Sequence, residues 1–121
     1  MLPALLLSCA PALLLGTGAA AGAWGYDEHT KDGGEIVLSS SPEKVYEAAI
    51  AVARQRGYDV MTSDGAMRVE CEVDDADVVF QIFVIPENDD VARLRVTAKE
   101  LLVGREELAK DLGLQVQNRL G

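Results

Sequence analysis

The chain has 121 residues, with 20 Asp and Glu against 11 Lys and Arg, and a formal charge of -9. Residues 1–26 carry none of that charge, which leaves an acidic unit of about 90 to 95 residues, enough for one domain with a modest core and too short for two. This balance excludes nucleic-acid binding, which rests on Lys and Arg neutralising phosphates, and it excludes adsorption to anionic lipid through a basic patch.

The segment from Leu2 to Tyr26 is apolar and uncharged, and it contains Cys9. Three readings stay open for it. In the first, Leu6-Leu7-Ser8-Cys9 resembles the lipobox of bacterial lipoproteins, with Leu at minus three, a small residue at minus one and then the cysteine that receives lipid. A basic start and an apolar run of the usual length are missing before it, so the expectation is that the true start lies upstream. Two or more acyl chains hold a protein durably on a membrane where one does not. In the second reading the run is a signal peptide cut after Ala21-Gly22-Ala23. In the third it spans the membrane: 25 residues of helix reach about 37 Å against a hydrocarbon core of roughly 30 Å. Gly18 and Gly22 then form a G-x-x-x-G step, which lets two helices approach closely.

Residues 27–34, DEHTKDGG, read as a polar linker ahead of a domain over 35–121. They hold the only histidine, His29, which reads as a solvated residue with no metal or catalytic role. Glu35 to Ser39 forms a short strand with Ile36 and Leu38 on one face. A helix follows from Pro42 to Arg56. Ser41 is its N-cap, Pro42 suits the first position and Glu43 complements the positive end of the dipole. Its apolar stripe is Val45, Tyr46, Ala49, Ile50 and Ala53, and Gly57 is expected to end it in a left-handed cap.

From Tyr58 the period changes to two. Residues 58–63 form a strand, Asp64-Gly65 a hairpin turn, and residues 66–73 a strand alternating Met67, Val69, Cys71 and Val73 with Arg68, Glu70 and Glu72. Asp74 to Asp77 turns the chain. Val78 to Ile85 is nearly continuously apolar, as a central strand is. Pro86 to Asp90 turns again, and residues 91–99 return with Leu94, Val96 and Ala98 inward. From about Arg105, Leu108, Leu112, Val116 and Leu120 stand at four-residue steps in a second amphipathic helix, with Gly113 a local weakness of about 1 kcal/mol. The fold class expected is α+β: a mostly antiparallel sheet of four to five strands in the order β-α-β-β-β-β-α. Both helices lie on one face, and the apolar N-terminal segment precedes the whole.

The residues offer no catalytic constellation. No nucleophile has a base and an orienter, and no phosphate loop or paired zinc ligands occur. Cys71 reads as a small buried hydrophobe, with acidic neighbours Glu70 and Glu72 that would raise its thiol pKa. The acidic turns lack the glycine and bidentate glutamate of a calcium loop, so no metal or cofactor is expected. The exposed sheet face of Arg68, Glu70, Glu72, Arg93, Arg95, Thr97 and Lys99 is the expected place for a protein partner.

The apolar cysteine segment, the run Gly16-Thr17-Gly18-Ala19-Ala20-Ala21-Gly22, a helix opened by Ser41-Pro42-Glu43-Lys44-Val45-Tyr46, and Arg56-Gly57-Tyr58-Asp59-Val60 come in that order, followed by strands and a C-terminal helix. This order resembles the small bacterial envelope lipoproteins grouped as the thirty-five-sixty-eight family of domains of unknown function. The resemblance runs from Cys9 to Leu120. It implies a lipid anchor on Cys9 and a domain facing the periplasm, and Ala10 after the cysteine looks like the signal for outer-membrane sorting. It implies no reaction and no catalytic residue.

Overall fold

The structure is a computed structural model and describes residues 23–26 and 31–121. Cys9, the Gly18 and Gly22 step and His29 lie outside the described residues. The described elements, in chain order, are β1 (Gly25–Tyr26), β2 (Gly33–Leu38), α1 (Pro42–Arg56), β3 (Tyr58–Ser63), β4 (Arg68–Val73), β5 (Ala76–Ile85), β6 (Asn88–Glu100), β7 (Val103–Gly104) and α2 (Glu106–Leu120). The strands form one antiparallel sheet in the order β1-β2-β6-β5-β4-β3, with β7 paired to the end of β6.

Local chemistry explains the element boundaries. The Ser41 hydroxyl accepts from the backbone N–H of Lys44 at 3.4 Å, and Pro42 opens α1. Asp74 and Asp75 both take left-handed backbone angles, φ 50 and 68, forming the two-residue turn whose twist matches the strands it joins. At the β5–β6 turn Pro86 fixes φ and Glu87 sits at φ 67, the sign that the third position of a type II turn requires.

The core lies between the sheet and the two helices. Strand β6 contributes Ala92, Leu94, Val96 and Ala98, all fully buried, and β5 contributes Val78, Phe80 and Ile82. Helix α1 covers this layer with Val45, Ala49, Val52 and Ala53, and α2 with Leu108, Leu112 and Val116. Alanines at Ala49, Ala53, Ala92, Ala98 and Ala109 let the two layers approach closely. The Arg56–Asp111 ion pair, 2.9 Å, joins the helices at the surface.

The α+β class and both helices are as the sequence predicts, and the sheet is larger than the four to five strands expected. The two extra strands have two residues each, too short for any period to show in a sequence. The stretch read as a linker, 27–34, ends inside the sheet: Gly33 and Gly34 are buried residues of β2, paired with Thr97 and Val96. A Cβ on Gly33 would run into the Val96 carbonyl, so the two glycines mark close backbone approach and not slack chain. Asp32, just before them, is buried, and its Oδ1 has no partner among the described residues. Gly57 is not left-handed. Its φ is -130, its N–H bonds the Ala53 carbonyl at 2.8 Å, and the chain passes directly into β3.

The folded unit also begins earlier than expected. Trp24 packs against the core, and its Nε1–H donates to Glu106 Oε2 at 2.9 Å across 82 positions of sequence. Gly113 forms the seat: a Cβ there would stand 2.8 Å from the indole ring. What reads as a weak point of α2 is the space that Trp24 fills. Gly113→Ala improves helix propensity yet displaces the ring. Trp24 is the single tryptophan, so the expected outcome is a red-shifted fluorescence emission in a chain that keeps its far-ultraviolet dichroism.

Candidate functional site

The helices cover one face of the sheet, so the residues that alternate with the core form the other. The cross-strand registers set them in four rows: Val37-Arg93-Phe83; Glu35-Arg95-Gln81-Arg68-Ser63; Gly33-Thr97-Val79-Glu70-Met61; and Lys99-Asp77-Glu72-Tyr58. All seven residues expected on this face, Arg68, Glu70, Glu72, Arg93, Arg95, Thr97 and Lys99, are on it. Glu35, Asp77, Gln81 and Phe83 join them. Asp77 was expected in a turn, and β5 in fact starts at Ala76. Strand β5 is central, as its apolar run predicts, and its Val79, Gln81 and Phe83 lie half-buried on this face.

Charge on the face is graded. The two rows nearest the β5–β6 turn carry Arg68, Arg93 and Arg95 against Glu35. The two rows nearest the β4–β5 turn carry Glu70, Glu72 and Asp77 against Lys99. Glu35 accepts from Arg95 at 3.3 Å and lies 3.6 Å from Arg93, whose guanidinium also stacks 4.7 Å above the centre of the Phe83 ring. Arg68 pairs with Glu70 at 2.8 Å. Glu72 and Asp77 stand directly opposite each other, an arrangement that costs stability because like charges repel. Tyr58 stands opposite Glu72 on the other side, and hydrogen bonding to that carboxylate raises the tyrosine pKa. At the centre Arg68, Val79, Gln81, Phe83, Arg95 and Thr97 line a shallow depression of about 300 Å³. The polar groups on the described part of this face are carboxylates, guanidinium and ammonium groups, hydroxyls and one amide, which can pair with charge and hydrogen-bond.

Cys71 lies on the opposite, core-facing side, 5% exposed. Burial pushes its thiol up to about 11. Glu70 and Glu72 point away to the open face, so desolvation and not acidic neighbours sets the shift. Asp64, in the turn after β3, accepts from the Tyr46 hydroxyl at 2.6 Å and so ties that turn to α1. Burial, followed by this bond to Asp64, raises the Tyr46 pKa.

The sequence reading missed a second surface. Between β6 and β7 the chain turns through Leu101 and Leu102, which are 89% and 94% exposed, with Val103 at 65% beside them. Leu101 holds φ 55, a backbone region that leucine disfavours. Arg105 braces the base of this hairpin through Glu100 at 2.7 Å and the Asp74 carbonyl at 3.4 Å. The available signal is three apolar residues in a row where neither the strand period before them nor the helix period after them has a place for them. Among the described residues no helix is long and apolar enough to cross a membrane.

No protein-family model, curated protein or solved structure matches the chain.

Two outcomes are expected from these sites. The Cys71 thiol ionises at about pH 9 in the unfolded chain and at about 11 in the folded one, so its contribution is intact below pH 9 and is lost as pH rises through 11. Urea denaturation across that range should show wild type losing about 2 kcal/mol more than Cys71→Ala, whose alkaline slope lacks this ionisation. Leu101→Asn places at φ 55 a residue that accepts it, and should raise stability by about 1 kcal/mol in the same assay, because the exposed leucine contributes nothing to the core.

Proposed function

We propose that this protein is a lipid-anchored component of the bacterial cell envelope, acylated on Cys9, sorted to the outer membrane and facing the periplasm. In that setting it serves as a non-catalytic binding or scaffolding module. The observation that carries the reading is a division of labour along the chain. An uncharged apolar segment containing Leu6-Leu7-Ser8-Cys9 precedes a unit of charge -9 whose buried apolar residues are already matched by its own two helices. The two helices already match the core face of the sheet, and an uncharged apolar leader suits a membrane. Attachment is hydrophobic, since a unit this acidic gains nothing from anionic lipid.

The partner surface in this reading is the open face. Its charge gradient, from Arg68, Arg93 and Arg95 to Glu70, Glu72 and Asp77, suits a protein with the opposite gradient and gives specificity more than raw affinity. The resemblance to the thirty-five-sixty-eight lipoproteins supports the anchor, and it rests on the residues quoted above.

One observation favours a second reading, secretion without lipid. Trp24 is the residue that would follow a cut after Ala21-Gly22-Ala23, and among the described residues it is the first side chain packed against the core. The intact mass of the mature protein from a bacterial host separates the readings. A chain starting at Cys9 with added diacylglycerol and an amide-linked acyl chain is expected, with a palmitate label that disappears in Cys9→Ser. A mature chain starting at Trp24 selects secretion, and an uncut, unmodified segment selects a membrane-spanning form.

A further inference from the structure

From the shape and exposure of the β6–β7 turn we infer that Leu101, Leu102 and Val103 form a second membrane contact, which enters the interface of a neutral phospholipid bilayer and seats the anchored domain with that end down. The inference rests on the lipid-anchor reading and adds an orientation to it.

The three side chains are the most exposed large apolar group among the described residues, and they are consecutive. Leu101 and Leu102 make the turn beyond the last pair of β6 and β7, Glu100 with Val103, and among the described residues no fold element covers the three side chains. Leu101 keeps its disfavoured φ of 55 with almost all of its surface in solvent, so folding gains nothing from a leucine there. A protruding apolar knob suits a soft medium that closes around it.

The surroundings fit a lipid interface. Lys99 lies at the base of the hairpin, paired with Gly104, and the Lys31 backbone lies against the same glycine. Tyr26, half-exposed on β1, lies beside Gly104 at this end of the sheet. Lysine and tyrosine are the side chains that rest at headgroup level, with the apolar part down and the polar tip in water. Asp74 and Asp75 occupy the neighbouring turn at the same end, which makes anionic lipid unfavourable and commits the site to neutral lipid. The leader does not forbid the pose. The 14 residues from Ala10 to Ala23 reach at most about 48 Å, far enough for the domain to lie down on the surface that holds Cys9. Once the anchor holds the domain there, a contact too weak to bind alone is populated through high local concentration.

The test uses the full acylated chain with an environment-sensitive fluorophore at Leu102→Cys. The same fluorophore at Asp89→Cys, at the start of β6 and at the opposite end of the sheet, is the control. Cys71 is buried and does not compete for the label. On phosphatidylcholine vesicles carrying a spin-labelled lipid quencher, the probe at 102 should lose at least half its emission and the probe at 89 less than a tenth. That difference should survive 1 M salt, shrink as anionic lipid is added, and fall several-fold when Leu101→Asn and Val103→Ser are introduced together. Equal quenching at both positions, or none at 102 while the protein still floats with the vesicles, overturns the seating and leaves the anchor standing. A blue shift at 102 without quenching, as a protein partner would produce, also overturns it. An acylated chain that does not float with vesicles removes the anchor and this inference together.

Discussion

Two helices of 15 residues cover one face of a sheet and only one, and the rest of the molecule follows from that limit. Strand β6 bears the constraint most directly because it pairs with β2, β5 and β7. Every second residue from Ala92 to Ala98 is sealed under the helices, and the residues between them, Arg93, Arg95 and Thr97, must live with water. A slip of one residue would exchange the two sets, burying two arginines and exposing the core. The register is therefore held by hydrophobic burial, and the charged face comes with it as a by-product.

Much of this was legible in the residues. The period of four in Leu108, Leu112 and Val116, the cap at Ser41-Pro42 and the alternation from Val69 to Val73 each state one geometry and agree with their neighbours, and the structure reproduces them. What could not be read depends on contacts between distant residues. Gly33-Gly34 looks like slack chain, because only the Val96 carbonyl on another strand makes glycine necessary. Gly113 looks like a flaw in a helix until Trp24 fills the space above it. Gly57 carries the usual signal of a left-handed cap, but the immediate start of β3 draws it into an extended conformation.

The candidate sites divide in the same way. The seven charged and polar residues of the open face could be placed by counting in twos from the buried residues, since alternation alone decides their side. Their companions Glu35 and Asp77 needed the register, which only pairing reveals. The apolar tip at Leu101 to Val103 fits neither the strand period before it nor the helix period after it, and that misfit was its one signal in the sequence. Its exposure among the described residues turns that misfit into a surface. Two surfaces of different character thus lie on one small unit: a graded ionic face beside the sheet and a greasy point at one end. In the proposed setting they leave one side facing a protein and one end facing lipid.

The bond between Trp24 and Glu106 also bears on how the chain acquires its shape. Trp24 and strand β2 meet partners that come late in the chain, Glu106 of α2 and strand β6. Contacts of such high contact order slow folding, since the intervening loop must close before anything is gained. A chain emerging from its N-terminal end would leave β2 without β6, and the indole without its partner, until most of it had been released. The indole gains its seat only when the closing helix docks, because Gly113 belongs to that helix.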